Sequence, residues 1–392
     1  MITLQLIFWF CIFLIIYSYL LFPWILKLLA GNKGIDASSF SVEELPMISV
    51  LIAAYNEESV IGAKINSAFL GDYPSDKLEI LVGSDASTDQ TNAILQQLQE
   101  TFTSLHPFLF EKRKGKPGII NELAKEARGE ILVISDANVM LESSTLIELI
   151  RYFKDPDIGL VDTSLISTGI RGGGISRQEK FYTGREVRIK QNESVLWGSM
   201  MGPFGGCYAV RKSLYRPVPD HFLVDDFFIN MAVLEQGAAC ISNTLARVSE
   251  DVSNSPREEF RRKKRISAGN YQNLIRFSSM LFKGRPGVGF CFFSHKVIRW
   301  FVPFLVLITC TLSLILGIHL NLYLILALLH LLVLFVPVIE YILRKIGIHS
   351  IPLRFISHFV LMNTALLAGF FRFSGGIRNN VWQPTSRNQD KA

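Results

Sequence analysis

The chain has 392 residues, 49% of them hydrophobic and 19% charged, with 29 Phe and a formal net charge of +6. That balance is too apolar for an ordinary soluble protein and too polar for a bundle of membrane helices alone. The positive excess, diluted over a long chain, shows no nucleic-acid module and fits contact with anionic lipid and a negatively charged substrate.

The apolar residues are segregated to the two ends. Residues 4–26 (LQLIFWFCIFLIIYSYLLFPWIL) are long enough to cross a bilayer. No basic segment precedes them and no small-residue cleavage site follows, so the expectation is a retained helix at 1–28 rather than a cleaved signal. Lys27 and Lys33 follow the span and nothing charged precedes it. The positive-inside rule then puts the N-terminus outside and the central domain, 45–270, in the cytoplasm.

From Ile48 the chain alternates strand and helix. ISVLIAAY (48–55), LEILVGSD (78–85) and EILVISD (130–136) read as buried strands. EESVIGAKINSAFL (57–70), a segment through 90–100 and GIINELAKEA (118–127) read as helices. Such alternation predicts an α/β domain with a mainly parallel sheet covered on both faces. Tyr55-Asn56-Glu57, Ser84-Asp85 and Ser135-Asp136 each lie just past a strand's carboxyl end, the edge where open α/β sheets bind ligands. The competing reading is that each caps the helix after it. Asp136 and Asn138 stand two apart, so both face one way and offer oxygen donors of the kind Mg²⁺ or Mn²⁺ takes. Asp225-Asp226 is an adjacent acidic pair between a loop and a helix expected over 226–236, and an N-cap is again the competing reading.

Arg261 to Arg265 is an unbroken basic run, read as a solvated or lipid-facing patch or as a diphosphate contact. NYQNLIRFSSMLFK (270–283) reads as an amphipathic helix at the membrane interface, part of a segment 271–295. Apolar stretches near 300–318, 323–343 and 355–371 predict a membrane region over 296–375 and a tail from 376. The basic loop 344–354 belongs inside and the uncharged turn 319–322 outside. Arg372, Arg378 and Arg387 then conflict with a tail left outside by three spans. Either the rule fails there or the last segment, with His358 and Asn363, is re-entrant. Five scattered Cys without a C-x-x-C argue against a disulfide framework or zinc site and fit a reduced compartment. RGGG (171–174) reads as a loop, and His106 and His221 as loop or surface histidines.

ISVLIAAYNEE, ILVGSDASTDQT and KRKGKPGIINELAKEARGEILVISDAN together resemble the nucleotide-sugar half of the membrane-bound glycosyltransferase family 2, within the cellulose-synthase-like superfamily. GPFGGCYAVRKSLY (202–215), LVDDFFINMAVLEQG (223–237) and RRKKRISAG (261–269) resemble its glycine-rich, acidic and Q-x-x-R-W segments in order, and VWQPTSR (381–387) resembles a tail of several members. The resemblance implies a GT-A fold and an inverting transfer from a nucleotide-diphosphate sugar, UDP-linked by preference. The acceptor would be a lipid, lipid-linked or glycan hydroxyl at the cytoplasmic face of an inner or plasma membrane. By the same resemblance Tyr55, Glu57 and Asp85 contact the nucleoside, Lys116 the phosphates, Gly205 and Gly206 the acceptor side, and Arg262 or Arg265 the diphosphate. Asp136, with Asn138 in place of a second Asp, holds a divalent metal, Mg or Mn. Asp226 is the base and Asp225 replaces a more usual Glu. Ile266 stands where processive synthases carry Trp, which favours a single transfer over polymer synthesis. The alternatives are a processive polysaccharide synthase, a non-catalytic nucleotide-sugar-binding subunit of an envelope-assembly complex, and a nucleotidyltransferase.

Overall fold

The computed structural model describes residues 1–35, 38, 40–168, 176–251 and 256–377. The RGGG segment at 171–174, Arg378, Arg387 and the 381–387 tail lie outside the described residues. The chain forms two compact units. One consists mainly of Leu29–Asn254 and Arg276–Cys291; the other is made of Met1–Leu28, Ser255–Ile275 and Phe292–Gly376.

In the first unit eight strands form one mixed sheet. They are β1 (Ile48–Ala54), β2 (Leu78–Asp85), β3 (Leu105–Phe110), β4 (Ile131–Asp136), β5 (Met140–Leu141), β6 (Ile158–Thr168), β7 (Cys207–Arg211) and β8 (Ala239–Asp251). Their order is β3-β2-β1-β4-β7-β6-β8-β5. β1 pairs in parallel with β2 and β4, and β2 with β3. β7 runs antiparallel between β4 and β6, and β5 antiparallel to β8. β1 and β2 are buried at every position, which is why both read as near-continuous apolar runs. β3 is the strand the sequence hid: LHPFLF carries a proline and a histidine, tolerated because β3 is an edge. His106 therefore sits in a strand, not a loop.

The register brings the carboxyl ends of three strands level. Ala54 pairs with Ser84, and Ala53 with Asp136, so Tyr55, Asp85 and Asp136 emerge at one rim. β7 begins at that rim too, with Cys207 opposite Ser135. The opposite rim is pinned by a buried carboxylate. Glu79 accepts from Ser49 Oγ at 2.6 Å, from the Arg128 N–H at 2.6 Å and from Arg128 Nε at 2.8 Å. Burial pushes its carboxyl up, but Ser49 and Arg128 outweigh that and hold it below the ordinary range.

The second unit is helical. Among the described residues four helices, Ile2–Ala30, Val288–Gly317, Asn321–Lys345 and Ile351–Ser374, are long and apolar enough to cross a membrane. Val288–Gly317 starts well before the apolar stretch read at 300, because it absorbs Lys296 and the buried His295 and Arg299. It does so through a π-helical turn at Phe292–Val297, matched by another at Tyr17–Leu21. Such turns free backbone carbonyls, and the freed groups find partners between helices: Ser18 Oγ donates to the Ser294 carbonyl at 3.1 Å and Arg299 Nη2 to the Ser18 carbonyl at 3.3 Å. The amphipathic helix read at 270–283 is corrected. Residues Pro256–Arg276 form one helix, so the boundary read at 270 falls inside it, and a 3₁₀ turn follows at Ser278–Leu281.

Gly129 marks where the amino ends of the sheet tolerate no side chain. A Cβ there would meet the Ser49 nitrogen at 2.5 Å and the Ile48 carbonyl carbon at 2.6 Å. Gly129→Ala is therefore expected to cost about 1–3 kcal/mol, as overpacking does. A thermal melt in detergent unchanged from the wild type would contradict this.

Candidate active site

None of the strand-end acids caps the helix after its own strand. The N-caps of helices Ile61–Phe69, Thr91–Thr101 and Thr145–Ile150 are Val60, Gln90 and Ser144. The acids are held from farther along the chain. Asp85, fully buried, accepts the Lys114 N–H at 2.6 Å on Oδ1, and the Gly115 N–H at 3.0 Å and Arg113 Nε at 2.9 Å on Oδ2. Gly115 has φ +76°, a conformation that suits glycine and lets both amides turn to one carboxylate. The Arg113 guanidinium also lies 3.3 Å from the centre of the Tyr55 ring. Glu57 is buried, its N–H donated to Thr91 Oγ1 at 2.9 Å.

Three residues past Arg113, Lys116 reaches the other acids. Its Nζ is 2.6 Å from Asp136 Oδ1, 3.7 Å from Asp225 Oδ2 and 3.1 Å from the Gly205 carbonyl. Burial pulls the Lys116 ammonium down, but Asp136, Asp225 and Asp226 outweigh it and raise it above the ordinary lysine range. Asp225 and Asp226 open the helix Asp225–Glu235, whose N-cap is Val224 with no side-chain cap bond. They occupy the first turn, where the helix dipole favours negative charge. Gly205 passes against Asp226 so closely that a Cβ would lie 2.3 Å from its Oδ2. The Gly206 carbonyl accepts the Asp136 N–H at 2.8 Å. Thus Asp136, Asp225, Asp226, Lys116, Gly205 and Gly206 come together, with Tyr55 and Asp85 farther along the same rim. Arg262 and Arg265 lie on the Pro256–Arg276 helix of the helical unit, where Arg262 pairs with Glu259 at 2.9 Å.

The donor set suits a hard divalent cation. Asp225 Oδ2 is buried without a hydrogen bond, and three carboxylates share the field of one ammonium. Asn138 gives its Nδ2 to Glu250 at 2.8 Å, which leaves Oδ1 as its atom for a cation. No cage of three His, Cys, Asp or Glu forms among the described residues. Mg²⁺-type sites need none, since one or two carboxylates and substrate phosphates suffice.

Several residues went unread. Lys64, fully buried, donates to Ser135 Oγ at 2.7 Å and to the Val139 carbonyl at 2.5 Å, bracketing Asp136 to Asn138. Its signal was present: it shares the apolar face of Ile61, Ile65 and Ala68. Asp162 accepts the Phe204 N–H at 2.7 Å and pairs with Lys190 at 2.5 Å, and Glu193 accepts the Met201 N–H at 3.1 Å. These groups fix the glycine-rich loop from beneath.

Residues 49–218 match the family model described as Glycosyl transferase family 2. The chain carries a glycosyltransferase family 2 domain. Over 180 residues it is 34% identical to the beta-monoglucosyldiacylglycerol synthase of a Synechocystis strain, an alignment covering 41% of this chain and 37% of that protein. The chain thus spans little more than a third of that relative's length. It is 24% identical over 257 residues to the probable glycosyltransferase YdaM of Bacillus subtilis, covering 62% and 60% of the two. The mannosyltransferase PcManGT of Pyrobaculum calidifontis, solved with GDP-Man and Mn²⁺, superposes with TM-score 0.71 at 21% identity. That likeness covers 95% of this chain and 99% of that one. The fold of the family 2 domain is accordingly GT-A.

Lys64 yields a pH test. Burial pulls its ammonium down to about 8 from 10.5, against the upward pull of Cys207 and Asp136. Between those values the unfolded chain binds a proton that the folded one has released, so folding stability contributed by Lys64 rises with pH. The wild type should gain melting temperature relative to Lys64→Met as pH is raised from 8 towards 10. A difference between the two proteins that stays flat across that window would contradict the assignment.

Proposed function

We propose that this protein is a membrane-anchored inverting glycosyltransferase that moves a sugar from a nucleoside diphosphate to a hydroxyl of a lipid or lipid-linked acceptor. The observation that carries this reading is the gathering of Asp136, Asp225 and Asp226 around Lys116 at the carboxyl rim of the sheet. The glycolipid synthase among the relatives and the four membrane-length helices support a lipid acceptor. The basic residues after the first span support a cytoplasmic catalytic face at an inner or plasma membrane.

In this reading Tyr55 offers a stacking face to the base and Asp85 a carboxylate to its N–H groups. Lys116 places positive charge at the diphosphate, where charge develops as the bond to the anomeric carbon breaks. Asp136, with Asn138 Oδ1, would hold a Mg²⁺ or Mn²⁺ ion, which neutralises the departing diphosphate when bound. Gly205 lets the loop backbone pass against Asp226, and the Gly206 carbonyl accepts the Asp136 N–H, so the glycine-rich loop is set beside the acids that would meet the acceptor hydroxyl. Asp226 takes the hydroxyl proton as the acceptor oxygen bonds to the anomeric carbon from the face opposite the leaving group. The nucleoside diphosphate departs with the bonding pair, and configuration inverts. Asp225, buried beside Lys116, keeps that ammonium charged and aimed.

A detergent-solubilised preparation screened against nucleotide sugars with Mg²⁺ or Mn²⁺ should release one nucleoside diphosphate and label extracted lipid together. Asp226→Asn should lower turnover by about 10²–10⁴, the usual value of a general base, while nucleotide binding measured by calorimetry persists. Turnover unchanged by that substitution would sink the base assignment and favour a binding subunit. Chelation with EDTA should abolish turnover and added Mn²⁺ or Mg²⁺ restore it; full activity in excess chelator would remove the metal from the reading.

A further inference from the structure

Arg113 has no part in the chemistry above, yet it holds the most exclusive position at the base end of the site. Its guanidinium lies over the Tyr55 ring, 3.3 Å from the ring centre. The same group gives Nε to Asp85 Oδ2 at 2.9 Å. A planar, delocalised cation that stacks on a ring and donates an in-plane N–H to a carboxylate presents what a nucleobase with an N–H edge presents. Tyr55's face and the Asp85 oxygen cannot serve both at once.

We infer that Arg113 is an internal stand-in for the nucleobase, occupying the Tyr55–Asp85 slot until the donor's base displaces it. The inference rests on the nucleotide-site reading of Tyr55 and Asp85 and deepens it. The backbone makes the exchange local. The N–H groups of Lys114 and Gly115 hold Asp85 independently of the side chain, at 2.6 and 3.0 Å. Arg113 can therefore leave while the turn that carries Lys116 stays in place. When it leaves, a fully buried carboxylate loses its charged partner, and a base N–H restores a hydrogen bond there. The donor pays for this opening in affinity, because apparent binding is reduced by the fraction of molecules whose slot is vacant.

The test uses the full chain in detergent with Mn²⁺, and calorimetric titration with UDP, GDP, ADP, CDP and inorganic pyrophosphate. Wild type is compared with Arg113→Ala and Arg113→Lys. The nucleoside diphosphate bound best by wild type should bind Arg113→Ala tighter by about threefold or more, with Arg113→Lys between them because it keeps charge but not the plane. Pyrophosphate, which lacks a base, should bind all three alike. Weaker or unchanged binding of the nucleoside diphosphate to a folded Arg113→Ala would overturn the inference and make Arg113 a donor contact or a bystander. If Arg113→Ala does not fold, Arg113→Lys carries the same comparison and the same overturning result. A wild type that binds no nucleoside diphosphate, with both variants equally silent, would instead defeat the nucleotide reading and this inference with it.

Discussion

Three carboxylates around one ammonium is the arrangement on which the rest of the α/β unit turns. Two like charges a few Å apart repel by several kcal/mol even at an effective dielectric of about 20. Asp136, Asp225 and Asp226 come from a strand end and a helix start more than eighty positions on in sequence. They are brought together because each is fixed by its own element and Lys116 lies among them, 2.6 Å from one and 3.7 Å from another. One positive charge does not balance three negative ones. The surplus of negative charge is what the proposed divalent cation would neutralise, and it includes Asp225 Oδ2, which is buried without a hydrogen bond.

The glycine-rich loop is where that electrostatic design meets shape. Gly205 allows its backbone to pass against Asp226, and its carbonyl accepts from Lys116. A loop so close to charged groups needs rigid support. It has that from buried ions on its far side: Asp162 on the Phe204 amide and Glu193 on the Met201 amide. Burial pushes the Asp162 carboxyl up while Lys190, at 2.5 Å, opposes it. The hydroxyl of Tyr208, one strand residue past the loop, is buried without a hydrogen bond, and burial with the nearby charges of Asp225 and Asp226 raises it far above the ordinary phenol range. It stays a neutral O–H beneath the acids.

The parallel half of the sheet was legible because burial on both faces writes an apolar run into each strand, and the boundaries of LEILVGSD coincide with β2. Strand-end acids were legible for the same reason, as a carboxylate after such a run needs a purpose. What could not be read was anything set by the partner rather than the segment. β3 hides its strand under Pro107 and His106 because only its neighbour β2 supplies the pairing. The membrane-length helix from Val288 hides under His295, Lys296 and Arg299 because their tolerance comes from a π turn and a facing helix. Arg113 sits among Lys112, Lys114 and Lys116 with nothing in sequence to single it out; the ring beneath it and the carboxylate beside it set it apart.

Charge buried in a protein interior costs several kcal/mol per ion before any pairing gain, and hydrophobic replacement is often neutral or better. The ions of this unit should therefore be scarce where only stability is at stake. Glu79 is such a case, a single carboxylate stitching Ser49 and Arg128 at the amino rim. Lys64, Asp85, Asp162, Lys190, Glu193 and Asp225 are all buried, and each either touches the carboxyl rim directly or holds a segment that forms it. Lys64 is the sharpest instance, since its hydrogen-bond partners are a hydroxyl and a carbonyl and not a carboxylate. An ammonium kept there at such cost is explained by what it brackets: the strand end at Asp136 and the short turn that carries Asn138. The uneven spread of buried charge thus singles out the carboxyl rim of the sheet, the edge to which the proposed function assigns the chemistry, independently of any resemblance to other proteins.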